Sequence, residues 1–143
     1  MLRALRSVAL VVAVLTLGVT AAAAANPTEG VLFKPVGKSG VAGKAELGAN
    51  GIGTRVSVRI TGLAPGATAR VLLRTGRWPT LSASFATAVK TLKADAGGVA
   101  RASSAVRFRN EPVSWRIVAD GDHVLTVVVG GRIVAYAGIP GMD

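Results

Sequence analysis

The feature that most constrains this chain is a strict two-residue alternation of apolar and polar side chains. In residues 55–61, Val56, Val58 and Ile60 alternate with Arg, Ser and Thr. Successive side chains of a strand point to opposite faces, so this pattern predicts a half-buried strand. The same alternation returns in residues 69–74, after a turn that contains Gly and Pro. A pattern with this period is incompatible with a helical domain and favours a sheet.

Several further runs have the same character. The remaining candidate strands are residues 31–36, 41–47, 87–94, 99–106, 113–118, 124–129 and 132–137. The run 124–129 is apolar on both faces and predicts a central strand. Residues 87–94 and 99–106 flank a Gly-containing turn and predict a hairpin. Only 81–92 argues for a helix, and its Ser, Thr and Val content is unfavourable. The sequence therefore predicts an all-β fold, an antiparallel Greek-key sandwich or barrel of about eight strands.

The N-terminus has a different composition. Arg3 and Arg6 precede an apolar run, which ends in the small residues 21–25. A positive start, an apolar middle and a small-residue end are the pattern of a secretory signal peptide. The strongly apolar part, residues 8–19, is shorter than the roughly 20 residues that a bilayer-spanning helix needs. We therefore expect an exported protein, in the cell envelope, the periplasm or the exterior.

This pattern predicts the domain organisation. Residues 1–25 form the signal peptide helix, and the sequence leaves open whether it is cleaved or kept as an anchor. Residues 26–37 form a leader with a candidate first strand, and residues 38–143 form a single β-sandwich domain. No second apolar stretch is long enough to span a membrane, so the mature chain is expected to have no transmembrane segment.

The sequence argues against most metal and nucleophile chemistry. It contains no Cys and a single His, His123. This composition excludes a disulfide scaffold, a thiol nucleophile and a Cys-ligated metal. Metals are held by clusters of ligands, so Asp120, Asp122 and His123 would hold a cation only loosely. The Asp-Gly-Asp sequence instead favours a turn in which His123 is solvated. We expect no metal and no cofactor.

The order of several motifs is similar to that of a known family. The motifs are residues 40–45, 54–58, 62–67, 94–100 and 137–140. Over residues 38–141 their order resembles the copper/zinc superoxide dismutase-like β-barrels of secreted bacterial proteins and the related chordin-type domains. The resemblance implies a closed antiparallel barrel for nearly all of the mature chain.

The same resemblance implies a lost metal site. Active members carry an H-x-H-x-G-x-C strand, and matching its Gly to Gly76 places Leu72 and Arg74 at the two His positions. The Cys position is Trp78, and the family's second Cys, in an Ala-Cys-Gly segment, matches Ala137. Both ends of the family's disulfide are therefore absent together. The resemblance implies a barrel without a redox ion.

The remaining signal is charge, with 17 Lys+Arg against 7 Asp+Glu and a formal net charge of +10. Arg55 and Arg59 lie on one predicted strand, Arg70 and Arg74 on the next, and Arg77 in the following loop. If these strands pair, the side chains form one exposed basic face, which would bind phosphate, sulfate or carboxylate groups. These five are the candidate anion-binding residues. A second group consists of Arg101, Arg107, Arg109 and Arg116.

These observations favour a secreted, non-enzymatic binding or structural module without catalytic residues. Its candidate partners are an anionic envelope polysaccharide, a lipid headgroup or a protein. Nucleic acid is disfavoured, because Trp78 is the single aromatic residue near the predicted face and no nucleic-acid motif is present. The alternative is a metal-independent hydrolase or oxidoreductase that uses Asp95 and Glu111 as a carboxylate pair, although turn and loop roles explain both residues.

Overall fold

The computed structural model describes residues 28–141, without the side chains of residues 83–85. Its strands are β1 (Thr28–Pro35), β2 (Ala42–Asn50), β3 (Gly53–Thr61), β4 (Thr68–Arg77), β5 (Thr80–Lys93), β6 (Ala100–Ala105), β7 (Arg107–Phe108), β8 (Glu111–Pro112), β9 (His123–Val129) and β10 (Arg132–Ile139), and its one helical turn is α1 (Trp115–Val118). The predicted signal peptide, residues 1–25, lies outside the described residues. No helix in the described part is long and apolar enough to cross a bilayer.

The predicted all-β, antiparallel architecture is confirmed. Eight strands form one curled sheet, a half-barrel, in the order β5-β4-β9-β10-β1-β2-β3-β6, and β7 and β8 form a separate two-stranded ribbon. Each ladder in the sheet is antiparallel. The curl brings the apolar faces of the two halves of the sheet against each other, so the core lies inside it.

The alternation in β3 places its side chains as predicted. Val56, Val58 and Ile60 are buried, whereas Arg55 and Arg59 are exposed. On the opposite half of the sheet, the inner face of β4 contributes Ala69, Val71 and Leu73 to the same core. Because the apolar residues recur at every second position, β3 and β4 each bury one face and leave the other face partly or fully exposed.

The strand β9 is central, as its apolar run predicts. It pairs with β10 on one side and β4 on the other. Residues 123–127 of this strand are all buried. A strand with neighbours on both sides and cover on both faces needs apolar residues throughout, which explains why the alternation disappears here.

The predicted hairpin of residues 87–94 and 99–106 is wrong. The first run lies in β5, which pairs with β4, and the second lies in β6, which pairs with β3. β5 and β6 are therefore the two edges of the sheet, and the turn between them crosses from one half of the fold to the other. Leu63 N, from the connection between β3 and β4, donates to the Gly98 carbonyl of that turn at 3.1 Å. Within the turn, Asp95 Oδ1 accepts from Gly97 N and Val99 N.

The expected strand at residues 113–118 is also wrong, since it contains α1. Ser114 caps this single turn, and its hydroxyl accepts a hydrogen bond from Arg116 N at 3.3 Å. Trp115 and Val118 are buried in the core from it. A Ser before a short apolar pair is a helix-capping signal that the strand interpretation overlooked.

Candidate functional site

The structure divides the predicted basic face. β3 and β4 do not pair, because β9, β10, β1 and β2 lie between them in the sheet. The pairing on which the single face depended is therefore wrong. Arg55 and Arg59 lie on β3, whereas Arg70, Arg74 and Arg77 lie on β4. The two strands follow each other in the sequence, but the connection between them passes from one half of the sheet to the other.

A different set of cations lies together on the outer face of β2, β3 and β6. Lys44 is directly opposite Arg59, and Arg59 is directly opposite Arg101. All three residues are exposed. Neighbouring strands are about 4.8 Å apart, so this cationic row (Lys44, Arg59 and Arg101) runs across the strands for about 10 Å.

A polar row lies beside the cationic row on the same face. Ser57 Oγ donates to Ser103 Oγ at 2.9 Å, and Arg55 Nη1 donates to the same Ser103 oxygen at 3.2 Å. Glu46, opposite Ser57, brings a carboxylate to this face. Among residues 28–141 no Lys or Arg nitrogen lies within 4.0 Å of a carboxylate, so these cations face solvent without a neutralising partner.

The β4 arginines have separate surroundings. Arg70 is exposed between Val128 of β9 and Thr91 of β5. Arg74 is half-buried opposite Val124, and its Nε is buried without a hydrogen-bond partner in the described part of the chain. Arg77, at the end of β4, is exposed and lines a groove.

That groove lies at the seam where β1 and β10 diverge. The two strands pair only at Lys34 with Tyr136 and at Pro35 with Ala135. Beyond this point their facing stretches, residues 30–32 and 138–140, line an open cavity of about 550 Å³ instead of continuing the ladder. We call this cavity the seam groove. Its size suits a ligand of one or two rings.

An aromatic pair forms one wall of the seam groove. Trp78, in the turn between β4 and β5, stacks on Tyr136 of β10 with ring centroids 4.6 Å apart and 12° between ring planes. Because β9 lies between β4 and β10, this contact folds the turn across the outer face of β9. The position of this turn explains why Val124 is completely buried although its partner on β10, Gly138, is exposed.

The floor and flanks of the groove are built from small and cationic residues. A Cβ added at Gly30 or Gly138 would meet no atom within 4 Å, so the backbone itself is the floor. Lys34 and Arg77 flank the aromatic pair, and Leu32, 72% exposed, forms the rim. Leu32 is also directly opposite Lys44, so the groove opens onto the cationic row.

His123 differs from its prediction. It is only 6% exposed, as the first residue of β9, and is not a solvated turn residue. Its Nδ1 lies 2.8 Å from Asp120 Oδ1, which also accepts from Asp122 N at 2.8 Å. Burial by itself raises the pKa of Asp120, but these hydrogen bonds and the charge of His123 outweigh it, so the pKa of Asp120 lies below its ordinary value.

The residues at the resemblance's metal positions do not gather around a common point. Leu72 pairs with Thr126 and Arg74 with Val124, whereas His123 pairs with Thr75. Strand neighbours alternate, so His123 lies on the opposite side of the ladder from Leu72 and Arg74. Within residues 28–141 no group of three or more His, Asp or Glu side chains could hold a metal ion.

The expected carboxylate pair is not brought together. Asp95 belongs to the turn before β6, where its carboxylate caps two backbone N–H groups. Glu111 lies in β8, beyond the other end of β6. A six-residue strand is about 20 Å long, too far for two carboxylates to share one substrate bond.

No protein-family model matches the chain, and no curated protein sequence matches it.

Sequence reasoning missed several residues of this surface. Lys44 was not paired with Arg59, although a two-residue turn at Gly51 and Ile52 would align them across a β2–β3 hairpin. Arg101 carried no such signal, because its partner strand is distant in sequence. Lys34 and Tyr136 meet only in the folded chain.

Proposed function

We propose that this protein is an exported, non-enzymatic binding module whose cationic outer sheet face holds an anionic polymer of the cell envelope. The cationic row carries the proposal. Like charges directly opposite one another destabilise a sheet. Lys44, Arg59 and Arg101 make two such contacts in succession. An anionic ligand that lies along the row removes this repulsion and releases its own counterions.

The surroundings of the row support a polymer over a single small anion. The row is exposed along its whole length, and Arg55 extends the positive face along β3 toward Gly53. Glu46 brings one negative charge to this face. The four cations Lys44, Arg55, Arg59 and Arg101 outweigh it, so the local charge stays positive. Serine hydroxyls at Ser57 and Ser103 add neutral hydrogen-bonding groups beside the row. An extended anion can therefore contact several donors at once.

The proposal extends to the fold and the location of the protein. We propose that the half-barrel is a superoxide dismutase-like Greek-key β-barrel that has lost its metal site. Support comes from Leu72 and Arg74 on β4, where the family has imidazoles, and from Trp78, which stands at one Cys position and stacks beside the other, Ala137. The N-terminal signal pattern supports export to the envelope, where anionic polymers are abundant.

Salt-dependent binding to a soluble polyanion tests this function. The exported chain is titrated with dextran sulfate between about 50 mM and about 500 mM NaCl, and log Kd is plotted against log salt. The test variant is Lys44→Gln/Arg59→Gln/Arg101→Gln. We expect it to bind about tenfold more weakly at low salt and to lower the salt slope by about two to three, because each contact releases close to one counterion.

A matched control removes the same charge elsewhere. Arg70→Gln/Lys90→Gln/Arg132→Gln changes three exposed cations that lie outside the row. It should retain most of the affinity and slope of the parent protein. Equal weakening by the two triple variants would mean that only net charge matters, and binding that ignores salt would reject an electrostatic interaction altogether.

A further inference from the structure

We infer that the seam groove is a subsite for one ring of an acidic saccharide, so that the polymer held by the cationic row is an acidic polysaccharide. This inference rests on the proposed anion-binding function and names its ligand class. The groove has the volume of a small-ligand site, about 550 Å³, and its lining combines a mostly apolar surface with a few cations.

The walls of the groove match the two faces of a sugar ring. Sugars present flat C–H faces and polar edges, and aromatic rings pack against such faces. Trp78 and Tyr136 present an aromatic wall, while Gly30 and Gly138 leave a flat floor with no side chain. A ring can therefore lie between the aromatic wall and the backbone floor.

The charges select an acidic sugar. Lys34 and Arg77 line the groove beside the aromatic pair, and both are exposed. No Asp or Glu is part of the lining formed by the described residues. Arg binds planar carboxylates, and also sulfates, through paired N–H donors. A neutral sugar has no anionic group to accept these hydrogen bonds.

The position of the groove makes it continuous with the cationic row. Leu32 forms the groove rim and lies directly opposite Lys44, which begins the row toward Arg59 and Arg101. A chain with one ring in the groove would thus pass over Leu32 and place its next acidic groups on successive strands, about 5 Å apart. This step length is comparable with one sugar ring.

This arrangement favours a polysaccharide over a lipid surface. A membrane is a broad plane, so it would contact the row without entering the groove between β1 and β10. The aromatic pair lies inside the seam and not at its crest, since both of its residues are partly buried. Lipid headgroup binding is therefore treated as a competing outcome of the experiment.

The experiment blocks the groove without touching the cations. Gly138→Leu adds a side chain at a groove-lining position where an added Cβ meets no atom within 4 Å, so we expect it to fill the groove and to keep the fold. Gly30→Leu fills it from the opposite strand. Ala88→Leu, at an exposed position of β5, adds the same side chain outside the groove. Circular dichroism verifies that each variant is folded.

The probes are tetragalacturonate, neutral maltotetraose and phosphatidylglycerol vesicles. Binding is followed by Trp fluorescence, because Trp78 lines the groove and Trp115 is buried in the core. We expect the parent protein to bind tetragalacturonate and not maltotetraose. The two Gly→Leu variants should bind it about tenfold more weakly, and Ala88→Leu should bind it unchanged.

Three outcomes overturn the inference. If Gly138→Leu and Gly30→Leu bind tetragalacturonate as the parent does, while the cationic-row triple variant is weakened, the groove is not the subsite and the proposed function survives. Equal binding of maltotetraose would remove the acidic selectivity. Binding to vesicles alone would identify a lipid surface as the partner. If the parent protein shows no salt-dependent binding to any polyanion, the proposed function itself is rejected.

Discussion

Trp78 and Tyr136 stack with ring centroids 4.6 Å apart, although β9 separates β10 from the strand that Trp78 follows. This contact holds the β4–β5 turn over the outer face of the sheet. It joins the wall of a groove to the central strands of the core.

We expect Trp78→Ala to lower the free energy of unfolding by about 2 kcal/mol, because a large, partly buried ring and its stacking partner are separated. Tyr136→Ala should have a smaller effect. A double-mutant cycle measured by urea unfolding should give a coupling of about 1 kcal/mol. Tyr136→Phe keeps the ring and should change stability little. Strictly additive losses in the two Ala variants would contradict an energetic stack.

A second prediction concerns the turn that links the two sheet edges. Gly98 and Gly66 both have φ of +75°, but a Cβ at Gly98 would collide with the Leu63 carbonyl, whereas one at Gly66 meets nothing within 4 Å. Gly66→Ala should therefore lose only about 1 kcal/mol for the left-handed backbone. Gly98→Ala should lose about 2 kcal/mol more, because backbone must move.

Thermal and urea unfolding of the two Ala variants separate these contributions. Since their φ angles are equal, the difference between the two losses measures mainly the collision at Gly98. Equal losses would mean that the chain relaxes around Gly98 without strain.

Much of this fold is local and could be predicted, and the part that could not is a long-range choice. The alternation around Val58 is a property of one strand, and the Gly130–Gly131 turn joins β9 to β10 as its residues indicate. The Gly-containing turn after Ala94 has the same sequence pattern whether its flanking strands pair with each other or with distant strands, so the pattern does not identify the partners. Only burial against the whole core decides that β6 pairs with β3.

The candidate site divides in the same way. The pairing of Lys44 with Arg59 follows from the short turn between β2 and β3, so it could have been predicted from the sequence. Arg101 and Tyr136 join the surface through pairings that no local pattern encodes. His123 was misplaced for a related reason. The Asp-Gly-Asp sequence predicts the turn correctly, but the burial of the strand that follows extends to its first residue, His123.

A third prediction compares two completely buried threonines. Thr54 Oγ1 donates to the Val113 carbonyl at 2.8 Å, whereas Thr126 Oγ1 lies 3.5 Å from the Leu72 carbonyl. Thr54→Val leaves a buried carbonyl with one partner fewer and should lose about 1–2 kcal/mol. Thr126→Val loses a much weaker bond and should lose under about 1 kcal/mol. Urea unfolding checks the order, and a larger loss for Thr126→Val would contradict it.

A fourth prediction follows from the low pKa of Asp120. Because the folded pKa lies below its ordinary value of 3.8, the ionised carboxylate stabilises the protein above that value, and this contribution is lost as the pH falls through the folded pKa. Asp120→Asn should therefore lower Tm at neutral pH, and the gap to the parent protein should narrow below about pH 4.

Differential scanning calorimetry from acid to neutral pH measures this gap. Asp122→Asn is the control, since it removes a nearby exposed carboxylate and leaves the Asp120–His123 contact in place. A gap that stays constant with pH would show that Asp120 acts only by its shape.

The last prediction concerns the balance between binding and stability in the cationic row. Arg59 has a cation directly opposite it on each side, Lys44 and Arg101, so removal of its charge relieves two repulsions. Arg59→Gln should raise the free energy of unfolding by about 0.5 kcal/mol at low salt. The gain should disappear near 1 M salt, where the Debye length is about 3 Å. Arg70→Gln removes an equal charge between two uncharged partners, Val128 and Thr91, and should give no comparable gain. An equal gain in both variants would assign the effect to net charge. A loss of stability in Arg59→Gln would mean that attractive interactions of Arg59 outweigh its repulsion from Lys44 and Arg101.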